Sequence, residues 1–374
     1  MKKIGIVGGG QLGRMLAIAA KKLGFGVVIL DSNSHCPASE FADIVIAKSF
    51  KDPDGIRELS KLSDFITFEI ESANAAVLEE LVLDGHSINP APKILSIIKD
   101  KFNQKKFLAG YGFPVAPSIE IKNKEDLIMA IEEFGYPIIL KSRFDAYDGR
   151  GNALIRNETE IETALQKLNN GSLYVEKSIP FVKELAVVVA RGQSGEIVVY
   201  PPVETIHKNN ICHLVIAPAP VELEIIKKAE QLAIEIISIL KGVGVFAIEM
   251  FLTSEGELIV NEIAPRVHNS GHQTIEANET SQFEQHIRAI TGMPLGSPEM
   301  KTPHAVMINI LGERTGVATI LGVEEVMKIP GVSVHIYGKM ETRPERKMGH
   351  ITVIDLNLKM AIEKAKKARK LIII

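Results

Sequence analysis

The chain has 374 residues, of which 46% are hydrophobic and 24% charged, with a formal net charge of −3. That length exceeds one ordinary core and predicts two or three domains. The near balance of charge gives no case for nucleic acid or a membrane surface, so local clusters of Lys and Arg must do any phosphate recognition and small anionic molecules are the better-fitting ligands.

Met1-Lys2-Lys3 could open a signal peptide, but Gly5, Gly8, Gly9 and Gly10 interrupt the apolar run before an h-region forms. No stretch approaches the roughly 18 apolar residues of a membrane span. Two cysteines, Cys36 and Cys212, are too few for a disulfide framework or a structural zinc site and suit a reducing compartment. A cytoplasmic protein is expected. His207, Cys212 and His213 are close in sequence but match no metal-ligand spacing.

Lys3-Ile4-Gly5-Ile6-Val7 reads as a buried strand running into Gly8-Gly9-Gly10-Gln11-Leu12-Gly13, with helical periodicity over residues 14–23 and a second strand, Gly26-Val27-Val28-Ile29-Leu30-Asp31. This is the glycine fingerprint of a doubly wound unit, with a helix N-terminus able to hold an anion. Alone it would suggest a dinucleotide site. The strand Phe65-Ile66-Thr67-Phe68-Glu69-Ile70-Glu71 ends in two acids, where open α/β sheets bind ligands, so Glu69 is a candidate for ribose hydroxyls.

Asn89-Pro90-Ala91-Pro92 marks a first boundary, followed by a helix carrying Lys99, Asp100, Lys101, Lys105 and Lys106. Pro137-Ile138-Ile139-Leu140-Lys141 is an apolar strand ending in a lysine, an odd terminus unless the ammonium meets an anion. A Gly-containing loop follows, Asp145-Ala146-Tyr147-Asp148-Gly149-Arg150-Gly151-Asn152, and then a strand through Glu176 and Lys177 to Ser178-Ile179-Pro180, with Glu184 opening the next strand. Residues 225–240 form an amphipathic helix with Ala229, Leu232, Ile236 and Leu240 on one side. Past Gly292-Met293-Pro294 comes a smaller unit of short strands. In it Lys339, Arg343, Arg346, Lys347 and His350 crowd around Pro344 and Gly349, a pattern that favours a fixed phosphate-binding loop. Lys364 to Lys370 read as a terminal helix.

Val245-Phe246-Ala247-Ile248-Glu249-Met250-Phe251-Leu252 and Leu258-Ile259-Val260-Asn261-Glu262-Ile263-Ala264 flank the turn signal Ser254-Glu255-Gly256 and predict a β-hairpin. An even loop centred on that turn places Glu249 opposite Glu262, with Cβ atoms about 4.5–5.5 Å apart; an odd loop breaks the pairing. Like charges so placed repel unless a cation is shared, and hard oxygen ligands at that separation suit Mg²⁺ completed by substrate phosphates.

Several longer motifs then narrow the reading. Gly10-Gln11-Leu12-Gly13-Arg14-Met15, Tyr147-Asp148-Gly149-Arg150-Gly151, the run from Asn261 to His272, Ser281-Gln282-Phe283-Glu284, and Arg343-Pro344 through Arg346, Lys347, Gly349 and His350 resemble the 5-(carboxyamino)imidazole ribonucleotide synthases of the ATP-grasp superfamily, over nearly the whole chain. The resemblance implies an α/β protein with an N-terminal doubly wound preATP-grasp domain (1–92), an ATP-grasp domain (93–294, lid roughly 113–180) and a small C-terminal domain (295–374). It implies ATP, bicarbonate and 5-aminoimidazole ribonucleotide as substrates, Mg²⁺ as cofactor and a homodimer.

It also implies roles for individual residues. Lys101 and Lys141 would meet nucleotide phosphates, as would the loop Ala146, Tyr147, Asp148, Gly149, Arg150, Gly151 and Asn152. Glu176, Lys177, Ser178 and Ile179 would meet the adenine, Glu184 the ribose, and His207, Asn261 and Glu262 further nucleotide-side positions. Glu249 and Glu262 would be the magnesium ligands, Arg266 and His268 would hold bicarbonate and its phosphorylated form, and Asp148 would orient the amine or accept its proton. Gln11, Leu12, Glu69, Tyr147, Asp148, Arg150, Lys339, Arg346 and Lys347 would bind the ribonucleotide.

The loop Ser142-Arg143-Phe144-Asp145-Ala146 resembles the form in fungal bifunctional enzymes, which continue into a carboxylase domain; with Ile374 as the last residue, a separate mutase protein is expected for the next step. The segment from Lys339 to Arg343 is one residue longer than the family's usual spacing. A dehydrogenase built on the glycine loop and Asp31 would leave the lysines, the hairpin acids and His268 unexplained. A silent ATP-binding scaffold is disfavoured because the expected charged positions are all present. A ligase acting on formate or biotin should lack the Arg343 to His350 segment.

Overall fold

The computed structural model describes residues 1–145, 151–168 and 171–374. Lys3–Val7 lies at the centre of a five-stranded parallel sheet in the order Ile44–Ala47, Gly26–Asp31, Lys3–Val7, Phe65–Phe68, Ser87–Ile88. Ile4, Ile6, Val27 and Ile29 face the helix Gln11–Lys22, while Val7, Val28 and Leu30 face the helices Pro53–Leu62 and Ala75–Leu83. Burial on both faces explains the nearly unbroken apolar runs of these strands.

Two element boundaries differ from the sequence expectation. The acid-bearing strand stops at Phe68, so Glu69 and Glu71 lie on the turn beyond it. The lysine helix is two helices, Pro92–Ile98 and Lys101–Gly110. Asp100 separates them, accepting from the N–H groups of Phe102 and Asn103 at 3.1 and 3.2 Å as the cap of the second. Lys101 is thereby fixed at a helix start.

A four-stranded antiparallel sheet, Ser118–Ile121, Leu173–Lys177, Ile138–Ser142 and Asn152–Ile155, packs on the helices Lys124–Phe134 and Ile161–Lys167. A larger sheet runs Leu258–Ala264, Gly244–Leu252, Lys183–Arg191, Val203–Lys208, Ile211–Ala217, His304–Leu311, Lys347–Asp355, Val332–Ile336, with Ile197–Val199 beside Lys183–Arg191. The helix Leu223–Leu240 buries Ala229, Ile236 and Leu240 against its hairpin end.

The C-terminal unit was expected to hold short strands, yet His304–Leu311 and Lys347–Asp355 are eight and nine residues long and continue the larger sheet through pairing of Ile211–Ala217 with His304–Leu311. That continuity brings the basic segment before His350 toward the hairpin. The helix Gln282–Thr291 locks the first sheet to the larger one: His286 Nδ1 accepts from Val245 N–H at 3.0 Å and Nε2 lies 2.8 Å from Thr67 Oγ1. Burial holds this imidazole neutral, with a pKa of about 3.

Candidate active site

Glu249 does face Glu262, but by a different route from the one expected. Leu252 pairs with Leu258, so the loop is residues 253–257, an odd length that by itself would place Asn261 opposite Glu249. A β-bulge at Asn261 supplies the missing residue. Val260 and Ile263 both point into the core under the helix Leu223–Leu240, and the extra residue lets Asn261 and Glu262 both reach the opposite, accessible face. Without the bulge, strand alternation would send Glu262 into the apolar layer.

The bulged strand is held from outside. Gln104, buried at 2% exposure, accepts from Ile263 N–H at 3.0 Å and donates to Ile263 C=O at 3.2 Å, while Lys105 Nζ donates to Val260 C=O at 3.2 Å. Val260 N–H donates to Pro114 C=O at 2.7 Å.

The two opposed acids are not equivalent. Lys101 Nζ lies 2.7 Å from Glu262 Oε2. Burial favours the neutral acid at Glu262, but Lys101 outweighs it and holds the carboxyl below its ordinary range. Burial works against the Lys101 ammonium as well, and Glu262 more than compensates. Glu249, with no lysine in contact, is pushed up to about 7, first by burial and then by the Glu262 charge. Protons therefore leave this pair in two separated steps, the last from the Glu249 side.

His268 stands beside this pair, Nε2 3.6 Å from Glu249 Oε1. Its Nδ1 accepts from Ser270 N–H at 3.3 Å and lies 2.9 Å from Ser270 Oγ, which puts the ring proton on Nε2, facing Glu249. Burial, followed by the nearby charges of Arg266 and Lys347, keeps the imidazole well below its usual pKa and so neutral. Arg266 Nη2 reaches Glu71 Oε1 at 2.9 Å, and Nη1 donates to Val267 C=O. On the far side of Glu249, His207 Nδ1 lies 3.2 Å from Glu184 Oε2. Burial opposes protonation of His207, but Glu184 raises its pKa overall. Pairwise contacts thus link Lys101 to Glu262, Glu262 to Glu249 across the hairpin, Glu249 to His268, and Glu184 to His207, and Lys347 lies near enough for its charge to act on His268 and His207.

Lys141 finds its anion within the chain. Its Nζ lies 2.6 Å from Glu176 Oε2, and Lys105 Nζ lies 3.2 Å from Glu176 Oε1. Glu176 is 2% exposed; burial alone would neutralise it, but Lys105 and Lys141 together hold it at about 2. Its carboxylate is therefore turned into the protein, leaving Lys177, Ser178 and Ile179 at the strand end with Lys177 exposed. Gly151 and Asn152 stand at the start of Asn152–Ile155. Ala146, Tyr147, Asp148, Gly149 and Arg150 lie outside the described residues.

The glycine fingerprint is filled by its own chain. Glu69 accepts from the N–H groups of Gly10 and Gly13, the second at 2.9 Å, and Asp31 Oδ2 accepts from Gly9 N–H at 2.9 Å. A carboxylate therefore occupies the helix N-terminus that a dinucleotide pyrophosphate would need. Gln11 is half-buried and Leu12 buried on the first turn of that helix. The basic C-terminal segment comes close: a Cβ added at Gly338 would lie 3.4 Å from Arg14 Nη1. Lys339 Nζ donates to Lys347 C=O at 2.6 Å and Arg346 Nη1 to Glu341 C=O at 2.6 Å, so the two side chains brace this segment's own turn.

Sequence reasoning gave no role to Glu71 as partner of Arg266, Lys105 as partner of Glu176, or Gln282, whose amide holds His268. The acid pair at the end of the strand Phe65–Phe68 was a signal for Glu71; Lys105 stood on the expected lysine helix and Gln282 in the motif Ser281-Gln282-Phe283-Glu284, but nothing local shows which group either would hold.

Comparison with known proteins agrees with this architecture. The chain matches a ribonucleotide synthetase preATP-grasp domain over residues 1–99, an ATP-grasp domain over 106–283 and a phosphoribosylaminoimidazole carboxylase C-terminal domain over 305–364. It is 43% identical over 357 residues to the phosphoribosylaminoimidazole carboxylase of Schizosaccharomyces pombe, covering 94% of this chain but 64% of that longer protein. The crystal structure of N5-carboxyaminoimidazole ribonucleotide synthetase from Thermotoga maritima superposes with a TM-score of 0.90 at 47% identity, covering 100% of this chain and 99% of the other. A synthase from Aspergillus clavatus, solved with ADP and 5-aminoimidazole ribonucleotide, gives 0.92 at 38% identity, covering 99% and 98%. With all three domain types in order, the mixed α/β fold in common and full-length similarity at that identity, this chain belongs to the N5-carboxyaminoimidazole ribonucleotide synthase family of ATP-grasp ligases.

Proposed function

We propose that this protein carboxylates the exocyclic amine of 5-aminoimidazole ribonucleotide with bicarbonate, at the expense of ATP, through carboxyphosphate. The observation that carries the reading is the bulge that sets Glu249 against Glu262 on the accessible face, with Lys101, Arg266 and His268 around them. Family membership and the ligands of the Aspergillus clavatus relative support the substrate pair.

A divalent cation fits this pair. The donors are hard carboxylate oxygens, and Glu249 is pushed up to about 7 first by burial and then by the Glu262 charge, both of which a bound cation would offset. Among the described residues no group of three His, Cys, Asp or Glu side chains converges on one position, so Mg²⁺ held by Glu249 and Glu262 would complete its shell from phosphate oxygens and water. When bound, it would offset charge on the transferring phosphoryl group.

Bicarbonate is a poor electrophile. One of its oxygens attacks the γ-phosphorus of ATP, the bond to the β–γ bridging oxygen breaks, and ADP leaves with carboxyphosphate formed. Arg266 supplies positive charge for the anion. His268, held neutral with its proton on Nε2, donates a hydrogen bond to an anion oxygen without adding charge. The amine then attacks the carboxyl carbon, directly or after release of CO₂; phosphate leaves and the amine loses a proton, for which Asp148 is our candidate acceptor. Lys101 and Lys141 serve the nucleotide phosphates, and for Lys141 this requires sharing its ammonium with Glu176. Lys177, Ser178 and Ile179 serve the adenine, with Glu184 and His207 on the ribose side. Gln11, Leu12, Glu69, Lys339, Arg346 and Lys347 receive the ribonucleotide.

The domain limits we propose, 1–92, 93–294 with a lid near 113–180, and 295–374, are supported at the first boundary by the end of the parallel sheet at Ser87–Ile88. The lid limits are supported by the self-contained four-stranded sheet. Such a lid would exclude water from carboxyphosphate.

The test is ADP release in ATP, Mg²⁺ and bicarbonate, with and without the ribonucleotide. Stimulation by the ribonucleotide that vanishes without bicarbonate is expected. Equal ADP release with unrelated carboxylates and no ribonucleotide response would sink the reading.

A further inference from the structure

We propose that Gln282 is a positioning residue for His268, and through it for bicarbonate; this rests on the function proposed above. Gln282 is the first residue of the helix Gln282–Thr291 and is fully buried. Its Oε1 accepts from His268 N–H at 2.9 Å, and its Nε2 donates to His268 C=O at 2.7 Å and faces His272 Nδ1 at 3.2 Å. Both amide N–H donors are thereby used. The pairing with His268 copies what a neighbouring strand would offer, to a residue whose backbone is extended at φ −131 and ψ 156 but which belongs to no sheet.

The surroundings are shaped to this contact. A Cβ at Gly271 would come within 2.6 Å of Gln282 Oε1, so the glycine leaves room for the amide. Thr274 Oγ1 accepts from Gln282 N–H at 2.9 Å and donates to Gly271 C=O at 2.6 Å, closing the 268–274 turn on the helix start. With the backbone of His268 pinned at both polar groups and Nδ1 engaged by Ser270, the remaining freedom of the ring is small. Nε2 is left directed toward Glu249. Its side chain meets His268 and His272, and it is through His268 that it reaches the acid pair.

The same helix carries a built-in control. Gln285, also fully buried, donates to Gly296 C=O at 2.7 Å and accepts from Gly296 N–H at 2.8 Å. It makes the same two-point clamp, on a segment away from the acids.

The experiment compares Gln282→Met with Gln285→Met, and adds Gln282→Glu, which keeps the acceptor for His268 N–H and loses the amide donors. Each variant is read by thermal melting, by the Michaelis constants for bicarbonate and ATP, and by the ¹⁵N resonances of the His268 ring in ligand-free protein at pH 7. Gln282→Met should raise the bicarbonate KM about tenfold or more, leave the ATP KM within about twofold, and replace the single Nε2–H tautomer by a mixture. Gln282→Glu should fall between it and wild type. Gln285→Met should lower Tm comparably and change neither KM nor tautomer. Matching losses of Tm in the two Met variants, with the bicarbonate KM and the His268 tautomer unmoved, would overturn the proposal, as would those two readouts staying at wild type in Gln282→Glu if Gln282→Met does not fold. A wild-type enzyme indifferent to bicarbonate would instead sink the proposed reaction while the tautomer comparison still reports on the clamp.

Discussion

The glycine-rich turn at residues 8–13 and the hairpin of Glu249 and Glu262 both look, in sequence, like places that need an outside partner, and the chain answers the two differently. At the turn, the exposed N–H groups of a helix start are satisfied by Glu69 and Asp31, so its anion site is closed by covalently attached carboxylates. At the hairpin, Lys101 neutralises Glu262, and Glu249 keeps a raised pKa beside it. One motif is filled and the other is left short of positive charge. A glycine fingerprint therefore describes a backbone shape, whereas two acids forced together describe an electrostatic demand, and only the second points to a cation.

The largest expected effect comes from Glu262→Gln. If the pair carries the chemistry, turnover should fall by about 10²–10³, the scale of losing one charge-stabilising group at a reacting centre. The ligand-free protein should also lose stability, on the order of 1–3 kcal/mol, because Lys101 is left half-buried without its partner. A variant with normal melting and normal turnover breaks the contrast.

Glu249→Gln sharpens it by the opposite sign. The folded-state pKa is raised, so a proton on Glu249 stabilises the fold fully below the unfolded value of about 4.5, and that contribution is lost as pH rises through about 7. Above that window the ionised side chain is a standing cost. The variant should therefore melt higher than wild type at pH 8, by the equivalent of about 1–3 kcal/mol, and show no gain at pH 4, although it too should lose turnover. A gain of the same size at both pH values would mean the effect is packing rather than charge.

These two opposite signs show what local pattern conveys and what it does not. The strands, the amphipathic helix and the two hairpin acids were legible because apolar periodicity and a carboxylate inside an apolar run are local signals. The bulge at Asn261 was not, since its cause is the demand that Val260 and Ile263 both reach the same core, together with the hold of Gln104 from another helix. Glu176 was legible as part of a strand end, but its inward role depends on Lys105 and Lys141 arriving from separate elements. Glu69 was legible only as an acid at a strand's end; that its carboxylate would itself fill the anion position depends on a contact spanning 59 residues.

Glu69→Ala gives the smallest effect. Loss of its contacts to the Gly10 and Gly13 N–H groups is set against release of a buried carboxylate whose pKa burial raises, so stability should change little; the vacated N–H groups should then accept an external anion. Inorganic phosphate should raise the Tm of this variant and leave that of wild type nearly unchanged. An equal phosphate response in both would mean Glu69 does not close the turn.

The central claim, that phosphoryl transfer to bicarbonate precedes carboxylation, is tested most directly with ¹⁸O-labelled bicarbonate in unlabelled water, with ATP, Mg²⁺ and 5-aminoimidazole ribonucleotide present. The account predicts that the phosphate released carries one ¹⁸O, read from the isotope shift of its ³¹P resonance. Phosphate free of label, with label retained only in the carboxyl group of the product, would contradict it.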